Sequence, residues 1–233
     1  MRILLWNCCK GINQKKQIDY FKSFNCDLAV LPELKESNID TLSASSSVWI
    51  TNNHNSPKPN GLGVLAFNDI QIESLPRDDD MEIFIPLKIK TKNINFTLLA
   101  VWNFYWACKQ GRFKNVNGEE CLEWSAMRYY KTIFNDPCLS IGDWNFGPTF
   151  SQKEFVRLCD MFGSSGMKSL YHEYNDLPVT ETKNFTFKSS MQTYHHLDHM
   201  FGSKYFCRNM KLFNVDTLEN AVLSDHAPMI LDI

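Results

Sequence analysis

Short apolar runs rich in β-branched and aromatic residues recur through the 233-residue chain, and they restrict its fold more than any other feature. They are Ile3–Trp6, Leu28–Leu31, Gly63–Phe67, Ile70–Leu75, Met81–Ile89, Ile94–Trp102, Cys138–Ile141, Leu197–Phe201, Met210–Phe213 and Pro228–Ile233. Runs of this length bounded by turn residues read as strands. Ile83-Phe84-Ile85 is continuous rather than alternating, which predicts a strand covered on both faces. Helical spacing appears between strands, at Asn13–Phe24, Leu122–Phe134 and Ser151–Phe162. Ser151 stands three residues before Glu154, the spacing of a capping box. Strands that outnumber the helices between them predict an α/β (α+β) architecture, with helices packed outside stacked sheets.

Loop signals fall at Asn52–Gly61, Arg77–Asp80 and Lys109–Glu120, and strand-like runs continue on both sides of each. The pattern predicts one domain over residues 1–233. A composition of 44% hydrophobic and 21% charged residues is that of a globular chain. The longest apolar run, Ile94–Trp102, is broken by Asn95 and Thr97 and falls short of the roughly 20 residues a membrane helix needs. The amino terminus has no long apolar region with a small-residue cleavage site, which predicts a cytoplasmic protein. The eight cysteines form no Cys-x-x-Cys pair, so they read as reduced thiols, with Cys26 and Cys138 as small core residues. No heptad pattern points to a coiled coil, which favours a monomer.

A net charge of −2 lacks the basic excess common in nucleic-acid binders, although Lys109, Arg112 and Lys114 form a local cluster. The aromatic residues Trp102, Phe104, Tyr105 and Trp106 are dense enough for a base-stacking platform, though at strand spacing half of them read as core.

The chemistry gathers where apolar strands end in polar residues. Trp6-Asn7, Pro32-Glu33, Gly142-Asp143-Trp144-Asn145, and Leu197-Asp198 with Ser224-Asp225-His226 all follow or flank such runs. Together they supply four acids, two amides and one imidazole, a hard-cation ligand set with an acid–base pair, suited to magnesium-assisted phosphoester hydrolysis. Taken singly, each has a plainer reading. Asn7 and residues 142–147 suit turns, Glu33 suits a surface ion pair with Lys35, and Asp225-His226 suits a helix cap. His195, His196 and His199 surround Asp198, and alternation puts His196 on the face of Asp198. A surface position or a place behind the site is the reading for these three, and a structural role for His172. His54 reads as solvated.

Taken in order, Trp6-Asn7, Leu31-Pro32-Glu33, Gly142-Asp143-Trp144-Asn145, Leu197-Asp198-His199 and Ser224-Asp225-His226-Ala227-Pro228 resemble the motifs of the endonuclease/exonuclease/phosphatase superfamily. The segments Tyr171-His172 and Tyr194–Asp198 further resemble its small bacterial members. The resemblance implies a four-layer sandwich of two packed mixed β-sheets flanked by helices. It implies Glu33 as the principal Mg2+ ligand, with Asn7 beside it and Asp225 as an additional or water-mediated ligand. Mn2+ is the other cation such oxygen ligands accept. It implies that Asp143 orients or deprotonates the attacking water and that Asn145 holds the phosphate. Asp198 would fix the tautomer of His226, and His226 would donate to a phosphate oxygen. Two departures stand out. Cys9 occupies a position where many AP-endonucleases carry an acid, so the metal site has one carboxylate fewer. The phosphate-facing residue after the central strand is Asn103 or Tyr105.

The expectation is therefore a Mg2+-dependent phosphodiesterase acting on nucleic acid, DNA rather than RNA, as an endonuclease or exonuclease. The alternatives are a hydrolase of a small phosphoester and, from a different class, a catalytically silent binding module.

Overall fold

In a computed structural model of the chain, the structure describes residues 1–51, 57, 59–78, 81, 83–103, 122–218 and 223–233. Among the described residues, fourteen strands form two six-stranded mixed sheets and a two-stranded hairpin. The first sheet has the order β13-β14-β1-β2-β4-β3, with β1 Arg2–Leu5, β2 Leu28–Lys35, β3 Ser46–Ile50, β4 Asn60–Ala66, β13 Leu212–Val215 and β14 Met229–Asp232. The second has the order β5-β6-β7-β8-β12-β9. Its strands are β5 Gln71–Ser74, β6 Phe84–Lys90, β7 Asn95–Trp102, β8 Cys138–Asp143, β9 Met167–Ser169 and β12 Asp198–Ser203. The hairpin pairs β10 Phe187–Lys188 with β11 Tyr194–His195.

Two pairs are parallel, β1 with β2 and β7 with β8. Each needs a crossover connection. Helix α1 Lys15–Ser23 lies in the first and α3 Leu122–Tyr129 in the second. The other α-helices among the described residues are α2 Ile39–Leu42, α4 Gln152–Gly163, α5 Leu170–Asn175 and α6 Lys204–Asn209.

Alternation along the strands builds the layers. Ile3, Leu5, Leu28 and Val30 face inward against Leu98, Ala100, Leu139 and Ile141 of the other sheet. Their neighbours Leu4, Trp6, Ala29 and Leu31 face outward onto Phe21 and Phe24 of the α1 region. On the far side, Leu99, Val101 and Phe201 pack under Trp124 and Met127 of α3 and Phe155, Leu158 and Phe162 of α4. Strands covered on both faces carry continuous apolar runs. Phe84 accordingly enters the outer cluster and Ile85 the inner one. Helix, sheet, sheet and helix make four layers, as the sequence predicts. None of the described helices is long and apolar enough to cross a membrane. The six cysteines among the described residues are free thiols, and Cys26 and Cys138 are buried.

The local departures have physical causes. Strand β3 was not expected because its serines mask the alternation, and it lies at a sheet edge with mostly half-buried side chains. Helices α2, α5 and α6 span four to six residues, too short to show a 3.6-residue period. The run from Met81 becomes strand only at Phe84, and the run from Met210 only at Leu212. The Leu122–Phe134 helix tightens into a 3-10 turn at Tyr130–Ile133. The capping box expected at Ser151 does not form: Ser151 takes a left-handed backbone (φ 54°) and its side chain makes no cap bond. A side chain caps α1 instead: Gln17 Oε1 accepts from the Asn13 and Gln14 N–H groups at 2.9 and 3.0 Å.

Gly142 shows how tightly the central strands approach. A Cβ there would meet the Val101 carbonyl oxygen at 1.9 Å, so only glycine fits immediately before Asp143.

Candidate active site

Strand ends of both sheets converge on one polar group. The parallel ladder of β1 and β2 extends past Leu5, through Trp6 N–H to Val30 O (3.1 Å) and Cys8 N–H to Pro32 O (3.0 Å), which sets Asn7 beside β2. The pairing of β2 with β4 shifts between Leu31 and Leu34, and inside that bulge Glu33 adopts φ 61°. A glutamate in this left-handed region stores about 1–2 kcal/mol of strain, and the bulge turns its side chain toward Asn7. Asp143 ends β8, Asp198 begins β12, and the two are direct partners across the antiparallel pair.

Asp143 is the meeting point of the two sheets. Its Oδ2 accepts a hydrogen bond from Asn7 Nδ2 at 3.0 Å, and Asn7 Nδ2 also donates to Glu33 Oε1 at 3.3 Å. Its Oδ1 accepts from the Asn145 N–H at 3.0 Å. His226 Nδ1 lies 2.8 Å from Asp198 Oδ2, while its Nε2 stands 4.0 Å from Asp143 Oδ2. The second distance is too long for a hydrogen bond, which leaves that edge of the ring able to engage another group.

Asp143, Asp198 and His226 are all buried, so their charges interact strongly. Burial on its own lowers the His226 pKa, but Asp198, by charge and hydrogen bond, with Asp143 and Asp225, overrides it and holds the ring at about 10. His226 is therefore an imidazolium at neutral pH. Burial and the nearby Asp198 push Asp143 upward, against the pull of His226 and Asn7. Among the described residues no lysine or arginine pairs with Glu33, Asp143, Asp198 or Asp225. Four acids balanced by one imidazolium leave excess negative charge on oxygen ligands, and this donor chemistry fits a hard divalent cation. Ligand atoms of Asp143, Asp198 and His226 also lie within 4.8 Å of one another. A protonated ring bonded to Asp198 cannot ligate, however, so half-buried Glu33 and exposed Asp225 suit a cation better.

The remaining predicted residues fall around this group. Asp225 is exposed and lies beside Cys9, whose thiol pKa burial and the adjacent acids Asp225 and Glu33 push up to about 11. Asn145 donates its amide to the Asn103 carbonyl. Asn103 itself is turned inward rather than toward a substrate: it is fully buried, and its amide donates to Trp144 O at 3.0 Å. It braces residues 143–145, because a strand-end side chain facing the protein meets carbonyls instead of solvent. Trp102 is buried core. Tyr105, Phe104, Trp106, His54 and the cluster Lys109, Arg112 and Lys114 lie outside the described residues.

The surface reading of the histidines fails for His196 and His199, which are fully buried with His172 beside them. His199 stacks on Phe155 at 4.3 Å and its Nε2 is 2.7 Å from Phe146 O, so it supports the segment carrying Asn145 from behind.

Three supporting residues carried no assigned role in the sequence. Ser224 Oγ donates to Asn7 O at 2.7 Å and accepts from the His226 N–H at 3.1 Å, and Trp6 Nε1 donates to His226 O at 3.1 Å. Thr186 Oγ1 accepts from the Leu197 and Asp198 N–H groups at 2.9 and 3.1 Å, and its carbonyl accepts from the Ala227 N–H. Ser224 and Trp6 flank motif residues, a usable signal. Nothing local marks Thr186.

The architecture is one that solved structures share. The chain superposes on the AP endonuclease LMAP from Leishmania major with a TM-score of 0.73 at 11% identity, covering 99% of this chain and 86% of that one. It superposes on the endonuclease domain of TRAS1, a telomere-specific non-LTR retrotransposon, with a TM-score of 0.70 at 15% identity, covering 100% and 97%. An endonuclease/exonuclease/phosphatase family protein from Leptotrichia buccalis matches with a TM-score of 0.65 at 13% identity, covering 100% and 99%. The chain has the endonuclease/exonuclease/phosphatase fold across its whole length. No protein-family model and no curated protein matches the sequence.

Proposed function

We propose that this protein is a divalent-cation-dependent phosphodiester hydrolase acting on nucleic acid. The observation that carries the reading is the convergence of Asn7 and His226 from one sheet and Asp143 and Asp198 from the other, around Asp143 Oδ2. Structural neighbours that are named as endonucleases support a nucleic-acid polymer, and a Neisseria 3' phosphatase bound to a product DNA hairpin favours DNA over RNA.

Glu33 and Asn7 would hold the cation, with Asp225 as a further or water-mediated ligand. When bound, magnesium, or manganese in its place, would supply Lewis-acid charge to the phosphoester. Asp143 orients the attacking water and takes its proton. Its raised pKa suits this task, because a base near neutrality accepts a proton most effectively. His226 donates from Nε2 to a non-bridging phosphate oxygen, while Asp198 holds the ring by Nδ1 and stabilises its positive charge. Asn145 has one amide hydrogen beyond its bond to Asn103 and offers it to the phosphate as charge develops.

The test is cleavage of labelled single-stranded DNA, duplex DNA and RNA with magnesium, manganese or chelator, by wild type and His226→Ala. Metal-dependent cutting that His226→Ala abolishes is expected. If all three polymers stay intact while a control nuclease digests them, the reading fails and small phosphoesters become the substrates to screen.

A further inference from the structure

We infer that Gln17, in the first turn of α1, is a positioning residue that clamps together the two chain segments flanking the cation site. The inference rests on the hydrolase reading above and adds a residue outside the site that sets its affinity for the cation. The clamped segments are residues 9–11 and residues 223–226.

The amide itself is the first argument. Gln17 is buried on the face of α1 that also buries Phe21 one turn later. An apolar side chain would serve that packing, and a buried amide is costly unless its polar atoms are bonded. All of them are. Oε1 accepts from the Asn13 and Gln14 N–H groups, while Nε2 donates to Leu223 O at 2.8 Å and to Gly11 O at 3.4 Å. Two lone pairs and two hydrogens are the whole capacity of the group. Capping the helix needs only the oxygen, which a glutamate supplies equally well. The nitrogen has a different task, because its shorter bond reaches a carbonyl 206 positions away.

Strain in the first segment is the second argument. Cys9, Lys10 and Gly11 have φ of 43°, 70° and 95° in succession. Non-glycine residues keep a left-handed backbone only where their surroundings fix it. Here the fixing contacts run into the cation site: Cys9 N–H donates to Asn7 Oδ1 at 3.1 Å and Lys10 N–H to Glu33 Oε2 at 3.2 Å. Glu33 thus has one oxygen on the Asn7 amide and the other on this loop. If the loop relaxed, Asn7 and Glu33 would each lose a partner.

The second segment completes the clamp. Leu223 leads directly into Ser224, which bonds both Asn7 and His226, and then into Asp225. Cys9 lies beside both Asp225 and Glu33. One amide therefore ties the loop that steadies Glu33 to the segment that carries Asp225. Groups that orient ligands from behind in this way are worth about 10- to 100-fold in cation affinity.

The experiment compares wild type, Gln17→Glu and Gln17→Met. It measures Mn2+ affinity by the electron paramagnetic resonance of the free ion, the magnesium needed for half-maximal DNA cleavage, and melting in chelator. Gln17→Glu keeps the oxygen that caps α1 and removes both N–H donors; Gln17→Met removes cap and clamp together. Both should bind Mn2+ at least about tenfold more weakly, and cleavage should need correspondingly more magnesium, with part of the lost rate returning at high magnesium. The negative charge of Gln17→Glu on its own favours a cation, so weaker binding there reports the lost donors. A residue that only capped α1 would lower the melting temperature of Gln17→Met and leave Mn2+ affinity unchanged in Gln17→Glu, and that result would overturn the inference. If wild type binds Mn2+ and the variants bind it more weakly, yet no phosphodiester is cut, the hydrolase reading fails and the clamp stands. A wild type that takes up no Mn2+ removes both.

Discussion

Asp143 and Asp198 face each other across β8 and β12, yet they share His226 unequally: Asp198 is bonded to Nδ1 at 2.8 Å, while Asp143 stands 4.0 Å from Nε2. One acid is committed to the ring and the other is left to act on something between them. Antiparallel register alone would make the two carboxylates equivalent neighbours. The His226 segment, arriving from the other sheet, breaks that symmetry.

Replacing Asp143 separates its chemistry from its cost. A buried carboxylate beside Asp198 is unfavourable when ionised, so Asp143→Asn should leave the metal-free melting temperature unchanged or higher. Activity should fall by at least about 100-fold, the scale of a lost general base. Thermal melting and cleavage rates on the same preparation check both halves. Near-wild-type activity would remove Asp143 from the base role.

Glu33 combines function with strain. Glu33→Gly and Glu33→Ala both delete the carboxylate, but glycine alone tolerates φ 61° freely. Glu33→Gly should be the more stable of the two by about 1 kcal/mol in urea denaturation, and both should lose activity. Equal stabilities would show that the bulge relaxes when the side chain is removed.

Ser224 is the clip between Asn7 and His226. Ser224→Ala strips the Asn7 carbonyl and the His226 N–H of their buried partner, at a cost of about 1–3 kcal/mol. The turnover number should fall with little change in KM, since the contact positions His226 and does not touch substrate. A rise confined to KM would contradict this.

Acid should unfold the protein through its interior histidines. Burial lowers His172 and His196 from the usual 6.5 to about 4 and His199 further, so the folded state holds all three neutral. Unfolded chains take up protons near pH 6.5 and the folded form only near 4. The stability these groups confer is therefore full above 6.5 and is lost as pH falls toward 4. At about 1.4 kcal/mol per pH unit, His172 and His196 account for roughly 3 kcal/mol each. Urea midpoints at pH 7 and pH 5 check it, and His196→Gln should flatten the decline.

The site was legible where chemistry follows directly from local pattern. Asn7, Glu33, Asp143, Asp198 and His226 each sit at or beside the end of an apolar run, and strand ends are where a sheet presents polar groups to a cleft. The inward turn of Asn103 was not legible, because the carbonyls it meets belong to a neighbouring segment. The burial of His196 and His199 escaped for a related reason: a polar residue in alternation reads as solvent-facing until α4 and α5 cover that face. Strand β3 and the hairpin strands β10 and β11 are too short or too serine-rich to announce themselves.

The order of strands and helices and the layer each apolar residue enters follow from the period of the sequence, because burial acts on every run where it stands. Which strand end meets which was decided by tertiary structure alone. His226 and Asp198 are 28 positions apart, and Asn7 and Asp143 are 136 apart. Hydrogen bonds of a few ångströms carry no trace in local pattern over such separations. Only the packing of one sheet on the other brings them into a single polar group and sets Asp198 against His226, which gives the ring its charge; Asp143 owes its raised pKa to burial and to Asp198 beside it in the same sheet.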